Sequence, residues 1–148
     1  MSDSQPAAAT FEPIPTDLLA QMHGLRAALG ELIASLFPGA VLTGTGADFP
    51  LLQQMVDSQT LAATDEPAWE AMGIALGDAL VTEVPGLAWM QVSDEFGVDP
   101  VLRYRQTSLQ IGVLTLLLKR AEQGEEIDIQ HIANWLQKFI ETKADEYQ

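Results

Sequence analysis

Apolar residues recur at three- and four-residue intervals through Leu18, Leu19, Met22, Leu25, Leu29, Leu32, Ile33 and Leu36, the spacing that gathers side chains on one face of a helix. Thr16 or Asp17 is placed to cap that helix, and Phe37-Pro38-Gly39 to stop it. Leu51, Leu52, Met55 and Val56 predict a short second helix capped by Asp48, with residues 58–63 as a connection. Thr64-Asp65-Glu66-Pro67 opens a third, with acids near the positive end of the helix dipole and a proline in the first turn, and Pro85-Gly86 closes it. Trp69, Met72, Leu76 and Leu80 form its apolar stripe. Gly73 and Gly77 leave a bare strip on which another backbone can approach, predicting close helix-on-sheet packing.

The period then shortens to two. Trp89, Gln91 and Ser93 alternate with Met90 and Val92, and Leu102 and Tyr104 with Arg103 and Arg105, which predicts a β-hairpin. The intervening stretch reads as an acidic turn: Gly97 supplies a positive φ, Asp94 and Asp99 bond their own backbone, and Pro100 fixes φ before the second strand. Residues 108–113 continue as a third strand with Leu109, Ile111 and Val113 on one face. Leu114 to Gln123 reads as a helix ended by Gly124, with Lys119 and Arg120 near its negative end. Asp128 caps a last helix whose apolar face is Ile129, Ile132, Trp135, Leu136, Phe139 and Ile140. The expected fold is α+β, a three-stranded antiparallel meander packed against about five helices. Residues 1–15, rich in Ser, Ala and Pro, read as a flexible tail from which Phe11 and Ile14 dock on the body. Residues 16–148 read as one domain.

Composition supports a single core, with 47% hydrophobic and 19% charged residues in a chain of 148. Charge narrows the partners: 21 acids against 7 bases give a net −14, which repels nucleic-acid backbones and anionic lipid and favours a basic protein. Arg26 is the lone base before Arg103, so the charge is concentrated in the first two thirds of the chain. The absence of cysteine excludes disulfides, thiolate metal sites and cysteine nucleophiles. The N-terminal residues lack a basic-then-apolar leader, and the apolar run from Ile111 to Leu118 is too short to span a bilayer, so a soluble, cytoplasmic protein is expected.

Catalytic patterns are sparse. His23 and His131 fall on separate helices without zinc-protease spacing, and no G-x-S-x-G elbow is present. Gly44-Thr45-Gly46 lacks the following residues of a phosphate loop. The acidic groups Asp94, Glu95, Asp99 and Glu125, Glu126, Asp128 do not follow the calcium-hand pattern, and no metal, cofactor or catalytic residue is assigned. Arg103 and Arg105, two apart on a strand, share a face suited to bidentate carboxylate recognition, with the turn acids as their expected partners. Asp94, Glu95, Asp99, Arg103, Arg105, Lys119 and Arg120 are therefore the candidate binding residues.

Several motifs together resemble a family of small, largely uncharacterised bacterial proteins. They are the Leu76-Gly77 pair with Gly73, Trp89 before Asp94, Glu95 and Gly97, then Leu102-Arg103, and Lys119, Arg120, Gly124 and Glu125 at a helix end. The helical element departs from the family spacing, since Ile74 and Ala75 stand inside it. The resemblance implies a bacterial α+β domain of unknown function and supplies no activity.

The reading that follows is a non-catalytic acidic protein-interaction domain, in one version an immunity- or antitoxin-like inhibitor of a basic bacterial toxin. One alternative is a small-ligand binder or enzyme built on Asp94, Glu95 and Arg103. Another is a self-associating subunit, a homodimer formed through an edge strand or the last helix.

Overall fold

The computed structural model describes residues 9–147. Its elements run β1 (Thr10–Glu12), α1 (Thr16–Leu36), α2 (Asp48–Asp57), α3 (Glu66–Glu83), β2 (Leu87–Asp94), β3 (Gly97–Tyr104), β4 (Gln110–Ile111), α4 (Leu116–Glu122) and α5 (Ile129–Lys143). Short 3-10 turns at Val113–Thr115 and Ala144–Tyr147 precede α4 and follow α5. The α+β class holds, with four strands rather than three, in the antiparallel order β1-β2-β3-β4. No helix among the described residues is long and apolar enough to cross a membrane.

The extra strand comes from the segment expected to be a flexible tail. Thr10, Phe11 and Glu12 pair with Ser93, Val92 and Gln91, so the meander gains an edge that three residues could not announce by periodicity. Residues 1–8 lie outside the described part of the chain.

Helix α3 is the hub. Trp69 and every residue from Ala71 to Gly77 is buried, as are Ala79 and Leu80, so this helix is apolar around most of its circumference rather than along one stripe. It contacts α1, α2, α4, α5 and β2, and its buried side chains join Leu29 and Ile33 of α1, Leu52 and Met55 of α2, Leu102 of β3 and Ile140 of α5 in one core. Its start follows the expected chemistry: Asp65 caps it, accepting from the amide of Ala68 at 3.3 Å, with Pro67 in the first turn.

The two glycines of α3 set its distance from its neighbours. A Cβ at Gly73 would stand 2.7 Å from the carbonyl oxygens of both Val113 and Leu114, so the backbone of the 3-10 turn lies directly on the helix. A Cβ at Gly77 would overlap the Trp89 ring. This contact is the helix-on-sheet packing expected of the glycine pair. It also explains why the expected third strand is cut to Gln110–Ile111: after Gly112 the chain leaves the sheet to cross α3 at Gly73.

Asp48, expected as a cap for α2, is its first residue and turns back instead. One carboxylate oxygen accepts from the Thr43 amide and hydroxyl, both at 2.8 Å, and the other from the Gly44 amide at 2.7 Å. The Gly46 amide donates to Glu83 at 2.9 Å, and the Thr82 hydroxyl donates to the Gly44 carbonyl at 2.6 Å. The glycine amides that a phosphate would use in this Gly-x-Gly loop are thus engaged by the protein's own carboxylates, and the Thr45 amide by the Thr43 hydroxyl. Asp48 is 1% exposed, and these bonds satisfy a carboxylate that burial would otherwise penalise.

Candidate functional site

The register of the hairpin decides what its charged residues can do together. Asp94 pairs with Gly97, leaving Glu95 and Phe96 as a two-residue loop, so pairing runs almost to the apex and the expected longer turn is absorbed into strand. Asp94 Oδ1 accepts from the Phe96 amide at 2.9 Å, and Gly97 has φ +123°, as the turn chemistry requires. Asp99 pairs with Val92 inside the strands and so does not belong to the turn.

Arg103 pairs with Ala88 at the opposite end of the hairpin, six pairs from the apex and therefore about 20 Å from Asp94 at ~3.3 Å per residue. The turn acids are consequently not its partners. Its guanidinium donates to the carbonyls of Thr107 at 2.8 Å and Gln106 at 3.2 Å, and lies over the Phe11 ring at 4.0 Å. Arg105 does not share its strand face, because it lies beyond β3 with φ +50°. Its amide donates to the Gly86 carbonyl at 2.7 Å and its guanidinium sits 5.1 Å from the Tyr104 ring centre. Both arginines brace the base of the hairpin, and Asp94, Glu95 and Arg103 do not converge.

The other two basic candidates sit on α4. Lys119 is exposed, and Arg120 makes a loose pair with Glu125 at 3.7 Å. Arg120 also borders a small pocket of about 220 Å³ with Leu116, His131, Ile132, Trp135 and Leu136. Trp135, expected in the core, is 56% exposed and stacks on Phe139 at 5.2 Å. His23 and His131 are both exposed.

A second polar cluster ties helix to sheet. The carboxylate of Asp78 accepts from Trp89 Nε1 at 2.9 Å and stands 2.9 Å from Arg26 Nε through its other oxygen. The base that stands alone before Arg103 is therefore committed to an internal ion pair.

A groove of about 840 Å³ lies between α2, the start of α3 and the α4–α5 connection. Phe49, Pro50, Val56, Leu61, Trp69 and Ile127 give it apolar walls, and Asp57, Glu125, Glu126 and Asp128 supply carboxylates, with no basic residue in the lining. Gln53 fixes its geometry. The carboxamide nitrogen donates to the Ile127 carbonyl at 3.1 Å and to Asp57 at 3.0 Å, while the oxygen accepts from the Ile129 amide at 2.7 Å. Asp128 is engaged as the α5 cap, accepting from the His131 amide at 3.0 Å. Glu126 is exposed in the connection. The acids at 125, 126 and 128 were visible in the sequence as a cluster, but their apolar counterpart comes from residues some 70 positions earlier.

A central buried helix, an antiparallel meander on one side of it and an apolar groove with acidic walls define a small α+β domain. The chain belongs to the family described as a domain of unknown function, DUF3806, whose sequence model matches residues 48–132. That stretch contains the hairpin and every residue lining the groove. A crystal structure of a protein from Bacteroides thetaiotaomicron VPI-5482 has the same fold, with a TM-score of 0.77 at 19% sequence identity, over 92% of this chain. The match covers 50% of that protein, so this chain spans about half its length. No curated protein matches the chain.

Proposed function

We propose that this domain is a non-catalytic protein-interaction module, acting in the cytoplasm, whose groove receives a segment of a partner that carries basic side chains on an apolar body. One observation carries the reading: carboxylates of Asp57, Glu125 and Glu126 stand over apolar walls in a groove that no basic residue lines. Apolar walls reward burial of the partner's aliphatic or aromatic residues, while the single sign of charge selects lysine and arginine and repels acidic competitors. The net charge of −14 extends that preference to long range and accelerates encounter with a basic protein. Nucleic acid and anionic membrane surfaces are disfavoured by the same field. In its narrower version the partner is a basic toxin and the domain is its immunity- or antitoxin-like inhibitor.

The test uses the immobilised protein and a variant with Asp57→Lys and Glu126→Lys, both exposed positions. The expected result is one basic protein captured in stoichiometric amount from native lysate by the wild type, released as salt rises, and absent from an equally stable variant. Capture that is unchanged in the variant would remove the groove from the reading. Co-expression of the captured protein addresses the inhibitor version, since a toxin left toxic in the presence of this domain reduces the role to that of an adaptor.

A further inference from the structure

Phe96 is 86% exposed and Val98 is 56% exposed, both at the apex of the hairpin, where the fold supplies nothing to cover them. Asp94, Glu95 and Asp99 are their neighbours along the chain, and residues 94–99 contain no base. The apex is stiff: its loop has two residues, the Asp94 carboxylate holds the Phe96 amide, and pairing continues from the apex to the hairpin base. A rigid aromatic tip of this kind loses little conformational freedom on docking.

The pocket between α4 and α5 has the opposite character. It is bounded by Leu116, Ile132, Leu136 and the exposed Trp135, with Arg120 and His131 at its edge and no carboxylate in its lining. Lys138 lies one turn beyond Trp135 on the same helix, and Lys119 precedes Arg120 on α4. Its volume is about 220 Å³, and a cavity of roughly 150 Å³ already accepts a benzene ring, so one phenyl group fits. Trp135 offers that ring a stacking surface. The pocket shares no residue with the acidic groove.

We infer that the occupant of this pocket is the hairpin tip of a second copy of the chain, with Phe96 entering beside Trp135 and Glu95 facing Arg120. Both halves are carried by every copy. Closure about a two-fold axis makes the contact twice in a dimer, and head-to-tail continuation gives a larger assembly. The Arg120 pairing with Glu125, exposed and 3.7 Å long, is loose enough to be exchanged for Glu95 of the second copy.

Sedimentation or light scattering across a concentration series tests the inference on the full chain, with Phe96→Ser and Trp135→Ser as separate variants. Both positions are exposed, so the variants are expected to melt as the wild type does. Self-association of the wild type, weakened at least ~10-fold by either substitution, supports the docking, as buried aromatic anchors dominate such contacts. Glu95→Lys or Arg120→Glu alone should also weaken it, and the two together should restore it. A wild type that stays monomeric at every concentration overturns the inference, and so does an assembly that survives Phe96→Ser. Capture of another protein at Trp135 by a monomeric chain would assign the pocket to a different partner and equally overturn it.

Discussion

Trp89 Nε1 donates a hydrogen bond to Asp78 Oδ1 at 2.9 Å, so the strand that begins the hairpin is fastened to the central helix by a carboxylate that also pairs with Arg26 of α1. Three elements meet at one side chain. Asp78→Ala leaves the part-buried indole N–H and Arg26 without that acceptor, and should cost about 1–3 kcal/mol, nearer the lower figure because the Asp78 side chain retains 30% exposure. Asp78→Asn keeps an acceptor for the indole and should lose less. Urea unfolding with an unchanged m-value is the measurement, and equal midpoints for all three proteins would refute the fastening role.

The same tryptophan explains Gly77. Gly77→Ala forces a Cβ into the Trp89 ring, and overpacking of this kind costs about 1–3 kcal/mol. Gly73→Ala meets the Val113 and Leu114 carbonyls, which are backbone and cannot rotate aside. A smaller residue at position 89, as in Trp89→Leu, should therefore offset much of the Gly77→Ala loss and none of the Gly73→Ala loss. Thermodynamic coupling between 89 and 77, with additivity between 89 and 73, is the expected result of the two double-mutant cycles.

The sequence made α1, α3, α5 and the hairpin legible because each has either a long apolar period or explicit end signals, such as Asp65 with Pro67 or Asp128. What it hid is non-local. Thr10–Glu12 is a strand because β2 offers an open edge, not because three residues prefer one. The run from Leu109 to Leu118 is apolar but for Gln110 and Thr115, and periodicity alone does not divide it among β4, a 3-10 turn and α4. Arg103 and Arg105 looked like a pair because strand alternation was extended one residue too far, past the point where φ changes sign at Arg105. Trp135 looked like core because its spacing from Ile132 and Phe139 fits a stripe, but that stripe is wider than the face α5 buries. The groove was half visible, its acids in one segment and its walls in another.

Arg103 holds the N-terminal strand through an aromatic contact rather than an ion pair. Arg103→Ala removes the guanidinium over Phe11 and the bonds to the Thr107 and Gln106 carbonyls. The cation–π part is worth about 0.5–1 kcal/mol, and its loss should appear locally, as release of β1, before it appears in global stability. Hydrogen exchange at the β1–β2 pairing, Phe11 with Val92, should quicken in Arg103→Ala and less so in Arg103→Lys. Unchanged exchange there would mean that the edge strand is held by its backbone bonds alone.

Gln53 connects stability to the groove. Its carboxamide bridges the Ile127 carbonyl and the Ile129 amide across the start of α5, and that bridge sets the path of the connection carrying Glu125 and Glu126. Gln53→Ala leaves a helix-terminal amide without its acceptor and should cost about 1–3 kcal/mol. Gln53→Glu retains an acceptor for Ile129 but turns an ionised oxygen toward the Ile127 carbonyl and Asp57, so it should also destabilise, more at low salt than at high salt. Exchange of the Ile129 amide should quicken in Gln53→Ala while the Leu80 amide, deep in α3, keeps the protection of the residual global stability. If the connection also positions the groove acids for a basic partner, Gln53→Ala will weaken capture at temperatures where the protein is still fully folded. Wild-type capture in that folded range would separate the structural role of Gln53 from the binding role proposed for the groove.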